Sequence, residues 1–330
     1  MNHLGKYTAL AAILMVPGLA RADRAAVEAE DAADHHVSAQ GHYKGGLEHS
    51  WEWTLGSGRS GKNITGIAAQ GLLAAHRLTG LGEHEEAAIR AGRSLLKAYD
   101  GGWSKQRPRT QDIEFLASVG FVVDAGRWFQ VTTSRYPAAI YVDLVLDARR
   151  KAKIPQVAGW DLASATRAAL AVGQLDYARG LLSELTRRRA EWDRPGVGQD
   201  LARGSLLWAL AEARGRIGLT PEQQRLAAAL ASDLAASQQR SGAWLERAGS
   251  DILCTQTTAY AILGLSRWSQ GKPAADRGRA WLARSALTDK RYFEGGKIWA
   301  TTYLSRSGQP ENNFNSEIQS EAMMALASGR

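Results

Sequence analysis

Five residues in this 330-residue chain have the types and spacing for acid–base chemistry: Asp112, Glu114, Asp200, Tyr260 and Glu317. Glu317 and Glu321 are four positions apart, and such a pair shares one face of a helix. A glycoside hydrolase needs two carboxyl groups roughly 5–10 Å apart across the scissile bond. Glu317 with Glu321 offers the nearer separation, and Asp112 with Asp200 a wider one. A polysaccharide lyase needs instead a base and a group that neutralises a uronate. Tyr260, His76, Arg203 and Lys62 are available for that. Both chemistries stay open on the sequence alone.

The neighbouring residue types suit a sugar. Trp53, Trp103 and Trp244 offer flat faces for C–H stacking, while Lys62, Asn63, Arg203, Gln256 and Asn315 offer hydrogen bonds to hydroxyls. Eleven tryptophans against five phenylalanines fit that pattern. The same residues also have ordinary structural uses. Asp and Asn cap helices, and a repeated tryptophan can brace one helix against the next. A non-catalytic glycan-binding or envelope scaffold protein is therefore the alternative to an enzyme. No metal site is expected, and no cofactor is evident.

These residues recur in a unit. Trp103 leads to Asp112, Trp192 to Asp200 and Trp244 to Asp251, with Trp53 to Asn63 slightly longer. A period of roughly 40–55 residues marks a repeat architecture. Apolar residues at helical spacing, such as Leu226, Leu230 and Leu234, dominate the chain. Small-residue-rich helices are expected at about 63–79, 111–126, 161–172, 199–215, 255–269 and 314–327. They alternate with more charged ones at about 24–44, 84–98, 136–151, 173–189, 221–239 and 274–288. Six apolar helices forming an inner ring under six amphipathic ones would satisfy both patterns. An Asp, Asn, Ser or Thr near each inner start is expected to cap free amides. Thr220-Pro221 reads as an N-cap and N1 proline.

The segment Gln238-Gln239-Arg240-Ser241-Gly242-Ala243-Trp244 resembles the Gln-x-x-x-Gly-x-Trp repeat of triterpene cyclases and related α/α toroids. The segment Thr257–Leu265 is similar to the inner helix that follows such a repeat. The resemblance covers about 221–270 and implies an all-α, (α/α)6 toroid barrel, an architecture shared with prenyltransferases, polysaccharide lyases and glycosidases. It does not carry the cyclase reaction. The acidic cluster that protonates a triterpene is replaced here by Cys254-Thr255-Gln256-Thr257-Thr258, which contains no strong acid.

Other motifs are set aside on chemical grounds. Gly56–Asn63 nearly fits a phosphate-binding loop but ends in Asn63 where Ser or Thr should bind magnesium. His35, His42 and His49 are too widely spaced for a zinc site and read as a solvated cluster. Cys254, the only cysteine, excludes an intrachain disulfide and reads as a buried inert thiol.

Residues 1–22 read as a secretory signal: Lys6, then an apolar run from Tyr7 to Val16, then Ala20-Arg21-Ala22 before the cut. A periplasmic or secreted single domain over 23–330 is expected, with no transmembrane segment. Loss of Lys6 and Arg21 takes the formal charge from +8 to +6. That excess favours polyanions such as acidic glycans. No nucleic-acid motif is present. The expected function is an exported hydrolase or lyase acting on a polysaccharide, acidic or neutral, in a central cavity.

Overall fold

Small side chains let helices approach closely, and the inner helices of this chain use that freedom. The computed structural model describes residues 17–61, 64–100, 109–288, 297–299, 303–304, 310–311 and 314–328. Among them the inner helices are α2 (Thr65–Thr79), α4 (Thr110–Ser118), α7 (Val157–Ala171), α10 (Gln199–Arg216), α12 (Thr255–Leu265) and α14 (Ser316–Ala327). Each packs on the next, and α14 returns to α2, so the ring closes. A Cβ on Gly204 of α10 would stand 2.4 Å from the Tyr260 carbonyl of α12, and one on Gly71 would stand 2.6 Å from Ser320 of α14. Only glycine allows these crossings.

The outer layer holds α1 (Pro17–Ser38), α3 (Gly82–Asp100), α5 (Val122–Thr132), α6 (Ala138–Lys151), α8 (Leu175–Arg187), α11 (Pro221–Ser237) and α13 (Lys272–Ser285). A one-turn helix α9 spans Arg189–Trp192. Four two-residue strands form two antiparallel pairs between α13 and α14. The arrangement is an (α/α)6 toroid, as the resemblance implies.

Several details differ from the sequence reading. The expected helix 111–126 breaks at Ser118, where Gly120 takes φ 93°, and its second half becomes the outer helix α5. The outer layer therefore has one helix more than the inner ring, and α6 packs mainly against α7 and α8. The expected N-terminal helix 24–44 ends at Ser38. His35 and His36 are buried in α1, not solvated. Thr220 caps α11 as expected: its Oγ1 accepts from the Gln223 amide at 3.2 Å, and Gln223 Oε1 accepts from the Thr220 amide at 3.0 Å.

The expected signal falls largely outside the described residues. The described part of the N-terminus begins inside α1, whose face at Ala29, Ala32, Ala33 and His36 is buried. Among the described residues no helix is long and apolar enough to cross a membrane.

Two of the repeat tryptophans, Trp192 and Trp244, share a structural job with Trp51 and Trp299. Trp51, Trp192, Trp244 and Trp299 are all fully buried. Their indole N–H groups donate to His36 O of α1 (2.6 Å), Leu185 O of α8 (3.0 Å), Leu234 O of α11 (2.8 Å) and Leu282 O of α13 (2.9 Å). Each tryptophan thus pins the C-terminal turn of an outer helix to the loop that leads to the next inner helix. It satisfies a carbonyl that the helix leaves unpaired.

Candidate active site

The loops before the inner helices join at one mouth of the ring. Thr54 and Asn315 form a bridge between the loops before α2 and α14, and the Gly198 amide donates to Glu246 O between the loops before α10 and α12. Side-chain caps are scarcer there than expected. Asn315 Oδ1 accepts from the Ile318 amide at 2.9 Å, and Cys254 Sγ accepts from the Thr257 amide at 3.4 Å. The other four inner helices start on Ile64, Arg109, Gln156 and Gly198 with no side-chain cap.

Inside this mouth α14 carries Glu317 and, one turn deeper, Glu321. They are 5% and 0% exposed. Gln256 of α12 donates its Nε2–H to Glu321 Oε1 at 3.2 Å. Tyr260, one turn further along α12, acts on Glu321 from the same face and stands edge-on to Trp160 of α7, with ring centroids 6.1 Å apart. Among the described residues, Glu317 Oε2, Glu321 Oε2, Ser316 Oγ, Asn315 Nδ2, Thr257 Oγ1 and Trp160 Nε1 are buried polar atoms with no hydrogen-bond partner. Buried polar atoms are normally paired, so a concentration of unpaired ones marks a place built for a polar guest.

The electrostatics follow from burial. Taking Glu317 out of water lifts it to about 7, against the opposing pull of the Arg109 charge. Burial, then the neighbouring Glu317 charge, holds Glu321 well above the usual carboxylate range, while Gln256 and Tyr260 act the other way. The pair therefore retains a proton at neutral pH. Burial also pushes the Tyr260 hydroxyl well above its ordinary value, so it stays protonated and donates.

The remaining expected site residues lie elsewhere or outside the described residues. Asp112 is 1% exposed and turns sideways, accepting from Tyr99 Oη of α3 at 2.6 Å and lying against Gly66 at the start of α2. Burial lifts it to about 6, opposed by the Tyr99 bond, the Arg109 charge and the Gly66 and Arg109 amides. That geometry ties α2, α3 and α4 together. Glu114 faces the ring interior, but its oxygens accept from Arg167 Nε at 3.1 and 3.3 Å.

Asp200 and Arg203 are corrected more sharply. Arg203 pairs with Asp193 (2.7 Å), Asp200 (3.2 Å) and Asp233 of α11 (3.6 Å), so both residues belong to an ion network joining α10 to its outer partner. Trp244 is sealed in the core and offers no sugar platform. His76 sits in the last turn of α2, away from the carboxylate pair. Trp53 does stand at the mouth: its carbonyl accepts from the Ser316 amide at 3.2 Å, next to Glu317. Lys62, Asn63 and Trp103 lie outside the described residues.

Two residues were missed. Arg109, the N-cap residue of α4, acts electrostatically on Tyr99, Asp112, Asp161 and Glu317 together. Glu246 is 2% exposed with an unpartnered Oε1, in the hairpin before α12. Arg109 adjoins the Thr110-Gln111-Asp112 helix start and was the more visible of the two.

No family model matches the chain. No curated protein matches it either. Solved structures do. It is similar to an unsaturated glucuronyl hydrolase from Bacillus sp. GL1, described as responsible for glycosaminoglycan degradation, with TM-score 0.60 and 15% identity over 92% of this chain and 96% of that one. A heparin-specific unsaturated glucuronyl hydrolase matches with TM-score 0.59 and 9% identity over 94% and 97%. The α-1,6-mannanase GH76A of Salegentibacter sp. HEL1_6 matches with TM-score 0.55 and 12% identity over 92% and 98%. At these identities the likeness establishes the toroid fold.

Proposed function

We propose that the chain is an exported glycan hydrolase working at the Glu317–Glu321 mouth of the toroid. The observation that carries this reading is the buried carboxyl pair itself. Burial and mutual repulsion keep a proton on the pair at neutral pH, as a general acid requires. Glu317, nearer the mouth and lifted to about 7, gives the proton to the leaving glycosidic oxygen as the C–O bond breaks; water then bonds to the anomeric carbon, and the proton it releases restores Glu317. Glu321 lies deeper, held by Gln256 and acted on by Tyr260, and sets how readily Glu317 ionises. Tyr260 and Trp160 supply hydrogen-bond donors, and Trp53 stands at the rim. The structural neighbours support the substrate class, since their names describe hydrolases of glycosaminoglycan, heparin and mannan chains.

Hydrolysis is favoured over lyase chemistry by the bases on offer. Tyr260 is pushed away from the phenolate form a lyase base would use, and His76 is at the other end of α2. Arg109 is the described cation at this mouth that would receive a uronate. Export rests on the signal-like residues 1–22 and places the reaction in the periplasm or outside the cell. A binding-only protein is the second reading, because Glu114 and Asp200 are paired with arginines and Asp112 accepts from Tyr99 through one of its two oxygens.

The test is a panel of neutral and uronate-containing polysaccharides incubated with the mature protein and with Glu317→Gln. New reducing ends without absorbance from unsaturated products are expected. Glu317→Gln should lower the rate by roughly 10²–10⁴-fold, the usual worth of a general acid. Unsaturated products would establish a lyase. Saturable glycan binding without turnover would establish the second reading.

A further inference from the structure

The opposite mouth of the ring has a site of its own. There the C-terminal halves of α2, α4, α12 and α14, together with α10, enclose a cavity of about 170 Å³. Its walls include Gln70, Arg77, Glu114, Trp208, Leu263 and Arg267. The Glu114–Arg167 pair forms part of the floor that separates it from the carboxylate mouth. Arg167 is 3% exposed, donates to Ser205 Oγ at 3.1 Å, and contributes its charge to the environment of Tyr260 on the other side.

Most arginines at this end have an evident structural use. Helix C-termini present unpaired carbonyls and a partial negative charge. Arg267 Nη1 donates to Leu263 O at 2.6 Å, and Arg216 Nη1 to Leu170 O at 2.7 Å. Arg77 is different: it is exposed, lines the cavity and makes no hydrogen bond or ion pair among the described residues. The charges also fail to cancel. Among the described residues, Arg77, Arg167 and Arg267 have Glu114 and Glu212 as their carboxylate neighbours. Two of these guanidinium groups lie over the Trp208 ring, with Cζ 3.9 Å (Arg167) and 4.9 Å (Arg267) from its centroid. The rest of the wall is apolar, including Leu73, Ala74 and Met324.

We propose that this C-terminal mouth is a second binding site, for a small organic anion. Its carboxylate sits between Arg77 and Arg267, and its apolar body lies against Trp208, Leu73 and Met324. The carboxylate supplies the missing negative charge and a planar partner for the guanidinium forks. A cavity of this size suits a single small ring or short chain, and it lies at the opposite end of the ring from the glycan mouth.

The test is isothermal titration calorimetry of the full chain with benzoate and hexanoate, against benzamide and inorganic phosphate. Saturable binding of the carboxylates is expected, with benzamide and phosphate much weaker. Arg77→Gln should lower the affinity roughly tenfold, the loss of one charge-assisted bond. Ala74→Phe should remove binding by filling the cavity. Arg267 is left unchanged because it caps α12. Glu317→Gln, which disables the proposed hydrolase, should leave carboxylate binding intact. No saturable heat, benzamide or phosphate binding as tightly as benzoate, or unchanged affinity in both Arg77→Gln and Ala74→Phe would overturn the proposal.

Discussion

Gln256 donates its amide N–H to Glu321 Oε1 at 3.2 Å, across the seam between α12 and α14. It helps Glu321 ionise in a place where burial and Glu317 both oppose ionisation. Replacing it with leucine removes that help without adding charge. Gln256→Leu is expected to keep a proton on the pair to higher pH. The basic limb of the activity profile should therefore move upward while the acidic limb stays. An unmoved basic limb would show that Gln256 does not govern the pair.

Glu317 makes a stability prediction of definite sign. Burial raises it from 4.5 to about 7 in the folded chain. A raised folded value means that its neutral form favours folding. That contribution is complete below 4.5 and is lost as pH rises through about 7. The rise corresponds to a loss on the order of 3 kcal/mol. Glu317→Gln stays neutral throughout. Urea unfolding at a series of pH values should show the wild type falling behind the variant between pH 4.5 and 7. Parallel curves would show that Glu317 ionises normally.

The same group makes activity and stability oppose each other. A carboxyl that is kept out of water to serve as an acid destabilises the fold when it ionises. The sequence displays the i, i+4 spacing of Glu317 and Glu321 openly, because a helical period puts them on one face. It also shows the alternation of apolar and charged helices that closes into the ring. It does not show which way a carboxylate turns. Asp112 and Glu114 are two residues apart on α4, yet one joins Tyr99 of an outer helix and the other joins Arg167 inside the ring. Asp200 looked equivalent to Asp112 by its distance from a tryptophan, but Arg203, three residues on, binds it to the outer layer. The choices of Asp112 and Glu114 depend on partners 13 and 53 residues away, beyond the reach of a local pattern. The site at the C-terminal mouth was invisible for the same reason: its walls come from separate inner helices.

The Arg203 network should behave as structure. Arg203 is 16% exposed, and Asp193, which it pairs with, is 3% exposed. Removing the guanidinium leaves a nearly buried carboxylate with Arg189 and Gln199 as its remaining polar partners. Arg203→Ala is expected to cost on the order of 3 kcal/mol in chemical unfolding, as for other broken buried pairs. The turnover of the folded fraction should be unchanged. A selective loss of kcat in a stable Arg203→Ala protein would return Arg203 and Asp200 to the site.

Trp244 and Trp53 separate the two uses of tryptophan in this chain. Trp244→Phe keeps the ring bulk but deletes the N–H that satisfies Leu234 O. Ser237 Oγ still donates to that carbonyl at 3.2 Å, so the change should cost about 0.5–1.5 kcal/mol, the net worth of one hydrogen bond. Glycan affinity should stay the same, because the ring is sealed behind α11, α12 and α13. Trp53 is only partly buried, and its carbonyl joins the first turn of α14 beside Glu317. Trp53→Ala should therefore weaken glycan binding, through both the lost ring and the loosened rim. Measured together by calorimetric titration and urea unfolding, the two variants should show the opposite balance of affinity and stability loss. An equal effect of both on glycan affinity would mean that the braces, not the rim, shape the binding mouth.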